Sequence, residues 1–437
     1  MLRRTLEFLH GGVSLTRRGW MFAAAAVVVL TAAYAGGRPE LLYVATLLGV
    51  LPLCGWLLVR LRRPRLTVSR SFAPHPVQAG SGVSVALHVR NRGRRTTPAL
   101  LWQDVLPWHP GATEEATLPA LERAGARYDG RGNSLLLDYE LTPPARGLVE
   151  VGPFLAGLDD PFGMASGVLV VGEPRQLAVT PAVAALPETA MSFPAGDGEA
   201  RFVQHRAVGD EDDAMTREYR AGDTLRRVHW RATARHGELK VRQEEQRSLP
   251  VARIIVDTAL TGYPDAEAGR SEAFEWVVRM LASVAVHLRE HGFLVSLLEL
   301  GQPQLTGLAP DRARSWAETD FLTALASLEL TDPAAEEAMS SRAAGPVIAL
   351  LGEPSPPTVH RLLRERRAGE LAVAFTVRSV SALDLLERSL GKPAQATENA
   401  ELLHEGGWLV VPVRADDDLA AAWQAVVVQT GRARDSA

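Results

Sequence analysis

The hydrophobic and polar positions of this chain change their period as the chain proceeds. Two long apolar runs come first, at 20–35 and 41–59, and each is close to the ~17–25 residues with which a helix crosses a bilayer. The turn between them, Gly36–Glu40, is too short for anything but a hairpin loop. The pattern predicts two transmembrane helices within residues 1–63. A cleaved signal peptide is the competing interpretation, and the second apolar run argues against it.

Arginines flank this hairpin on the far side of both apolar runs. The flanking arginines are Arg3, Arg4, Arg17 and Arg18 before the first run and Arg60, Arg62, Arg63 and Arg65 after the second. The loop between the runs holds only Arg38 and Glu40. Because positive loops stay in the cytoplasm, we expect a two-span protein of the inner or plasma membrane, anchored in the lipid bilayer with its soluble domains in the cytoplasm.

From Leu66 to about Pro181 the apolar and polar positions alternate, as they do in short strands. Val83–Arg90 and Leu135–Leu141 are examples, and turns rich in glycine and asparagine separate such runs. Regularly spaced short strands without helical periods favour an antiparallel, immunoglobulin-like β-sandwich, which we place at 64–182. No residue in it suggests chemistry, so we expect a spacer or an interaction module.

From 250 to 437 strand-like runs alternate with helical ones. The run Ala252–Val256 ends in Asp257, and Glu272–His291 then carries apolar residues at the three- and four-residue spacing of a helix. Val347–Leu351 is a second apolar strand of this kind. Alternation of strands and helices predicts a parallel sheet covered on both faces. The predicted fold class is therefore multidomain, with a helical hairpin, a β-sandwich and a C-terminal α/β domain.

Composition narrows the classes of function. The chain has 437 residues, enough for two or three domains, and its net charge of −4 gives no electrostatic case for nucleic acid. Its single cysteine, Cys54, lies in the second apolar run. This excludes a disulfide within the chain, a zinc site with several cysteines and a cysteine nucleophile in the soluble part.

The segment densest in charge, Arg217–Gln246, lies in the stretch 183–249 between the two soluble domains. Thr224–His236 predicts a helix, with Asp223 as its N-cap and Gly237 in the left-handed position after its end. Three arginines four residues apart form a basic stripe on this helix: Arg227, Arg231 and Arg235. Two interpretations remain open. The segment is either an interdomain clamp of ion pairs and cation–π contacts, or a docking surface for carboxylates or phosphates.

This segment resembles the signature of domain-of-unknown-function family 58. The resembling run is Glu218–Arg235, and Arg146-Gly147 with Asp160–Gly163 look like a second landmark of the family. The signature positions, which would also form the docking surface, are Tyr219, Gly222, Asp223, Arg226, Arg227, His229, Trp230, Arg231 and Arg235. The resemblance covers roughly 60–437. It implies a membrane-anchored bacterial protein with a β-rich region and a C-terminal von Willebrand factor A-like, Rossmann-type domain. It also implies a MoxR-type AAA+ ATPase as partner, often with a transglutaminase-like membrane protein encoded nearby.

The resemblance gives Asp257 a candidate role. In von Willebrand factor A domains the first strand ends in Asp-x-Ser-x-Ser, whose oxygens hold a divalent metal; here the run reads Asp257-Thr258-Ala259-Leu260-Thr261. Ala259 lacks an oxygen ligand, while Thr261 still offers a hydroxyl to Mg²⁺. Asp257 and Thr261 are therefore a candidate, degenerate magnesium site. The alternative is a strand end that only caps the sheet.

One further motif, His287–His291, matches the H-x-x-E-H pattern of a class of zinc proteases. It falls in the last turn of the predicted helix before Gly292, where the helix dipole favours a protonated histidine. We interpret it as structural.

No catalytic set is recognisable in the sequence, and we therefore predict no enzyme. The leading hypothesis is a membrane-tethered cytoplasmic adaptor or scaffold that works with a MoxR-type AAA+ ATPase. The alternative is a metal- or anion-dependent activity at Asp257 and the arginine stripe. A purely structural part of a cell-envelope assembly is the third possibility.

Overall fold

A computed structural model gives the structure of the chain. It describes residues 12–108, 111–125, 131–187, 216–218, 230, 233–234, 237–242, 250–267, 269–305, 317–334, 345–367, 369–378 and 395–435. The chain divides into two compact units, Met1–Ala182 with Leu322–Ser327 and Val183–Phe321 with Leu328–Ala437.

Two long helices, α1 (Arg17–Gly36) and α2 (Glu40–Leu61), open the first unit. Thr16 caps α1, because its hydroxyl accepts a hydrogen bond from the Gly19 amide at 3.2 Å. Gly37 ends α1 in the left-handed conformation, with φ of 61°. Both helices are long and apolar enough to span a bilayer. Most of the exposed large apolar side chains among the described residues lie on them, which is the surface expected of helices that lipid surrounds.

The rest of the first unit is an antiparallel β-sandwich region. Its strands are β1 (Val13–Leu15), β2 (Leu66–Ala73), β3 (Val77–Gln78), β4 (Val83–Asn91), β5 (Leu100–Asp104), β6 (Ala116–Leu118), β7 (Ser134–Leu141), β8 (Gly147–Val151), β9 (Phe154–Asp159), β10 (Ala165–Val171) and β11 (Arg175–Thr180). They form sheets of order β1-β10-β9-β5-β6, β2-β4-β7 and β3-β11-β8, in which only the β3–β11 pair is parallel. The predicted sandwich is confirmed.

Alternation along the strands builds the sandwich core. In β4 every second residue is buried and the residues between are mostly exposed, as the sequence pattern predicts. Val85, Leu87 and Val89 have no exposed surface. The rings of Trp102 and Phe154 stack across β5 and β9 with their centroids 5.2 Å apart. These side chains form one continuous core beneath the sheets.

Within this core lies a charged pair that the sequence analysis did not identify. The Arg70 guanidinium donates to both carboxylate oxygens of Asp104, with Nε 2.9 Å from Oδ2. The Tyr139 hydroxyl donates to the same Oδ2 at 2.7 Å. Arg70 and Asp104 are both buried, so each charge depends on the other for its solvation. Burial, followed by the charge of Asp104, raises the pKa of Tyr139 far above its ordinary value.

The second unit contains a two-stranded pair, β12 (Thr216–Glu218) and β13 (Lys240–Arg242), followed by a parallel sheet. The sheet strands are β14 (Val251–Val256), β15 (Leu294–Glu299), β16 (Val347–Leu351), β17 (Ala372–Arg378) and β18 (Leu409–Arg414). Between and after them along the chain come α3 (Glu272–Glu290), α4 (Glu318–Ala326), α5 (Pro356–Glu365), α6 (Gln395–Glu405) and α7 (Leu419–Asp435). All five sheet strands are parallel, in the order β15-β14-β16-β17-β18, and the predicted α/β fold is confirmed.

Helix α3 shows how the sequence pattern becomes packing. The six apolar residues at helical spacing, Phe274, Val277, Val278, Leu281, Ala285 and Leu288, are all at most 1% exposed. Ser271 caps the helix, since its hydroxyl accepts a hydrogen bond from the Phe274 amide at 3.1 Å. The helix thus begins and ends where the sequence predicts, and its apolar face lies in the core of the α/β fold.

Candidate functional site

The signature segment is closed at its base by two short strands. Strands β12 and β13 pair in antiparallel fashion, with Arg217 opposite Val241 and Glu218 opposite Lys240. The two ends of the segment between these strands are therefore held together by backbone hydrogen bonds. This closure was not predicted, because three-residue strands carry too little pattern to be recognised in the sequence.

The end of the predicted signature helix has the expected geometry. Thr233 and Ala234 are helical, and the Gly237 amide donates to the Thr233 carbonyl at 2.9 Å. Gly237 has φ of 74°, the left-handed conformation predicted for the residue after a helix end. The Lys240 amide then donates to the Thr233 hydroxyl at 3.1 Å, so the helix end is tied to the start of β13.

Trp230 lies on this helical segment and is 67% exposed. Tryptophan is highly buried on average, and it is enriched among the residues that contribute most to binding at protein interfaces. The other signature positions, Tyr219, Gly222, Asp223, Arg226, Arg227, His229, Arg231 and Arg235, lie outside the described residues. The predicted arginine stripe and its ion pairs consequently stay predictions.

A second candidate site lies at the carboxyl ends of the parallel strands. The sheet order places β14 between β15, which follows it in the chain, and β16, so the strand order reverses there. Ligands of open α/β sheets bind in the crevice that such a reversal leaves at the carboxyl ends of the strands. Asp257 follows β14 and Gly352 follows β16, so both lie at this place.

In this chain the protein's own backbone fills that crevice. The Glu353 amide donates to the Gly262 carbonyl at 2.7 Å, which joins the loop after β16 to the loop after β14. A Cβ built on Gly352 would overlap the Gly262 carbonyl oxygen and lie 2.9 Å from the Tyr263 ring. The Tyr263 hydroxyl donates to the Asp257 carbonyl at 2.7 Å. The chain packs so closely around Gly262 and Gly352 that both positions require glycine, which has no Cβ.

The carboxylate of Asp257 is enclosed by the same loops. It is 2% exposed, and it accepts hydrogen bonds from the Ala259 amide, at 3.0 Å from Oδ1, and from the Gly352 amide. Burial raises the pKa of Asp257 from its ordinary value to about 7, and the two amides oppose this rise. Asp257 therefore holds the β14 and β16 loops together through its side chain.

The two predicted magnesium ligands differ in exposure. Asp257 is buried, whereas Thr261 is exposed, and Ala259 contributes only its amide. In the part of the chain that the structure describes, no three His, Cys, Asp or Glu side chains are grouped so that they could hold a metal ion. One carboxylate that already accepts two amides does not match the six oxygens of Mg²⁺. The proposed metal site stays a prediction, and it depends on Asp257 alone.

The two histidines of the H-x-x-E-H motif lie at the end of α3. Their ring centroids are 4.2 Å apart, and a ring nitrogen of His291 lies 2.7 Å from the His287 carbonyl oxygen. The His287 ring packs edge-on against Trp423 at 5.5 Å. Both rings therefore take part in packing and in ending the helix, which agrees with a structural interpretation.

Glu299 is a further residue that the sequence analysis missed. It ends β15, and its carboxylate accepts hydrogen bonds from the amides of Gln304 at 3.1 Å and Leu305 at 2.8 Å. Burial raises its pKa above the ordinary value. Its position as an acidic residue at a strand end is the signal that was available, and it shapes the loop after β15.

Comparison with known proteins identifies a family. Residues 215–346 match the family model described as "Protein of unknown function DUF58", so the chain carries a domain of this family there and the resemblance is confirmed. No curated protein matches the chain.

Several solved structures share a local likeness. A CARDB domain from Pyrococcus furiosus, in complex with di-metal ions, is 17% identical over 25% of this chain and 90% of its own, with a TM-score of 0.17. A putative late embryogenesis abundant protein is 12% identical over 38% of this chain and 90% of its own, with a TM-score of 0.19. The sporulation control protein Spo0M of Bacillus subtilis is 15% identical over 26% of this chain and 49% of its own, with a TM-score of 0.14. At these identities and TM-scores the likeness carries no functional information.

Proposed function

We propose that this chain, with its DUF58 domain at 215–346, is a membrane-tethered cytoplasmic adaptor that binds a MoxR-type AAA+ ATPase. The observation that carries the proposal is the 67% exposed Trp230 on a helix of the signature segment. A large aromatic ring in a polar segment loses much unfavourable hydration when a partner covers it. The partner itself is taken from the family resemblance.

The tether is supported by the two helices α1 and α2. Their outward surface is apolar, and charged residues occur at both ends: α1 has twenty residues, with Arg17 and Arg18 at its start and Arg38 just beyond its end, and Glu40 and Arg60 lie twenty positions apart in α2. Twenty helical residues measure about 30 Å, the thickness of the hydrocarbon core. The arginine-rich end would then face the cytoplasm, with the soluble regions on that side.

The state of the α/β crevice supports a binding role for the signature segment over chemistry at the sheet edge. The place where ligands bind in open α/β sheets is closed by the contact between Gly262 and Glu353. Opening it would break the hydrogen bond from Glu353 to Gly262 and the contact between the Gly352 amide and Asp257. Trp230, by contrast, is already accessible to a partner.

Co-purification of the full chain tests the proposal. We expect an affinity-tagged chain, extracted in mild detergent from its own cells, to retain the MoxR-type ATPase in at least one nucleotide state. Trp230→Ala should lose it, while Leu402→Ala, which removes a 38% exposed apolar side chain from α6, should retain it. Failure of the unmodified chain to retain the ATPase, with and without ATP, would refute the proposed partner.

A further inference from the structure

A tight turn at residues 160–163 lies at one end of the helix pair. The Asp160 carboxylate accepts hydrogen bonds from the amides of Phe162, at 2.7 Å, and Ala165. The Gly163 amide donates to the Asp160 carbonyl at 3.0 Å. Asp160 is 5% exposed, so these bonds are sheltered from water and fix the conformation of the turn.

The turn is bonded to the residue that begins α1. The Thr16 amide donates to the Met164 carbonyl at 2.8 Å, and the Thr16 hydroxyl donates to the Gly163 carbonyl at 2.7 Å. Just before it, β1 pairs with β10, with Leu15 opposite Ala165. The first helix therefore leaves directly from the edge of the sandwich, with no flexible connection between them.

Helix α2 contacts the same turn. A Cβ built on Gly55 would lie 3.1 Å from the Asp160 carboxylate, and Val59 is buried in the sandwich core. The Trp56 indole donates to the Val13 carbonyl at 3.3 Å. Both helices thus meet the sandwich near this turn, so the position of the turn along the helix pair is fixed.

The surface at this level is apolar at one point and basic around it. Phe162 is 56% exposed. The exposed arginines at this end of the helices include Arg17, Arg18, Arg60, Arg62 and Arg63, and one exposed acidic residue, Asp159, precedes the turn. The Arg18 guanidinium lies beside Gly163, next to Phe162 in the chain. A ~30 Å hydrocarbon span that begins at Arg18, as the proposed tether requires, would place Phe162 in the headgroup layer.

We propose that the turn at 160–163 is a membrane-surface anchor: Phe162 inserts between the headgroups of an anionic phospholipid leaflet, and the neighbouring arginines bind the lipid phosphates. Aromatic side chains favour this layer, and each arginine near an anionic surface adds to the attraction. The sandwich is then seated on the bilayer at a fixed height. The proposal rests on the membrane tether proposed above and adds a lipid ligand for the turn.

Photocrosslinking of the full chain in lipid nanodiscs tests this anchor. Phe162→p-benzoylphenylalanine retains an aromatic ring at the site, and the nanodiscs contain phosphatidylglycerol and phosphatidylcholine. Two matched positions carry the same group: Leu47, 60% exposed in the middle of α2, and Leu136, 58% exposed on β7. Mass spectrometry then measures the phospholipid adducts at each position.

We expect adducts at 162 several-fold above those at 136, enriched in phosphatidylglycerol beyond its share of the lipid. Arg17→Gln combined with Arg18→Gln should remove the enrichment. If position 47 forms adducts but position 162 forms no more than position 136, the anchor is overturned and the tether stands. Adducts at 162 without enrichment would overturn the role of the arginines. A lack of adducts at 47 would refute the membrane tether, and the anchor with it.

Discussion

The backbone of Gly19, in the first turn of α1, lies so close to the Met164 carbonyl that a Cβ on Gly19 would overlap the oxygen. The same oxygen accepts the hydrogen bond of the Thr16 amide, so it is held in place where β10 begins. This close approach joins α1 to the sandwich. The proposed membrane tether and the sandwich are therefore connected rigidly.

Gly19→Ala should therefore destabilise the first unit by about 1–3 kcal/mol, the usual cost of forcing a methyl group into packed structure. The measurement is the thermal unfolding midpoint of the full chain in detergent. Gly49→Ala is the matched control in α2, since its Cβ would lie 3.7 Å from that of Ala26, an ordinary contact. We expect no loss there, as alanine favours a helix. Equal midpoints for the two variants would contradict the tight approach at Gly19.

Asp104→Ala should destabilise the sandwich by about 3–5 kcal/mol, because it leaves the buried charge of Arg70 without its acidic partner. Tyr139→Phe removes one hydrogen bond to Asp104 and should cost about 1 kcal/mol. Asp416→Ala is the control, since Asp416 pairs with Arg414 at a surface where both side chains are more than half exposed. Denaturant titration of the full chain compares the three. A loss at Asp104 no larger than that at Asp416 would show that the pair is not buried.

The signal for the Arg70 pair was present in the sequence. Leu66, Val68 and Phe72 occupy the inward positions of β2, and the alternation gives Arg70 the same side. A charge at an inward position predicts a buried partner, but the sequence does not say which acidic residue supplies it. Asp104 is identified only when the sheets pack together.

The pH dependence of stability should report the buried Asp257. Its pKa rises to about 7 on folding, so between pH 3.8 and about 7 the folded chain binds more protons than the unfolded one. Stability contributed by this group is then complete at low pH and falls as the pH rises through this window. Above about 7 it stays constant, at a total loss of up to about 4 kcal/mol.

The comparison of the unmodified chain with Asp257→Asn isolates this contribution, since other groups titrate equally in both. We expect the unfolding midpoint of the unmodified chain to fall relative to that of Asp257→Asn as the pH rises from 4 to 7. Above pH 7 the difference between the two midpoints should stay constant. A difference independent of pH would mean that Asp257 titrates as an ordinary, exposed carboxyl. Thr261→Val, at an exposed position, should follow the unmodified chain at every pH.

The fold class followed from periodicity because periodicity reflects burial. The helical spacing in α3 and the alternation in β4 each placed their apolar residues in the core. The position of Asp257 at a strand end was also predicted. The closure of the crevice by Gly262 and Glu353 was not, because backbone contacts between distant loops leave no pattern in either one. The short strand β1 was missed for the same reason, since its pairing with β10 defines it.

The affinity of the purified MoxR-type ATPase for the full chain in nanodiscs tests the central claim most directly. The account predicts a measurable Kd that Trp230→Ala weakens at least about ten-fold, as for a central interface tryptophan, while Leu402→Ala leaves it unchanged. The thermal midpoints of both variants should equal that of the unmodified chain, because both side chains are exposed. Binding that is equally tight with Trp230→Ala, or no binding in any nucleotide state, would contradict the account.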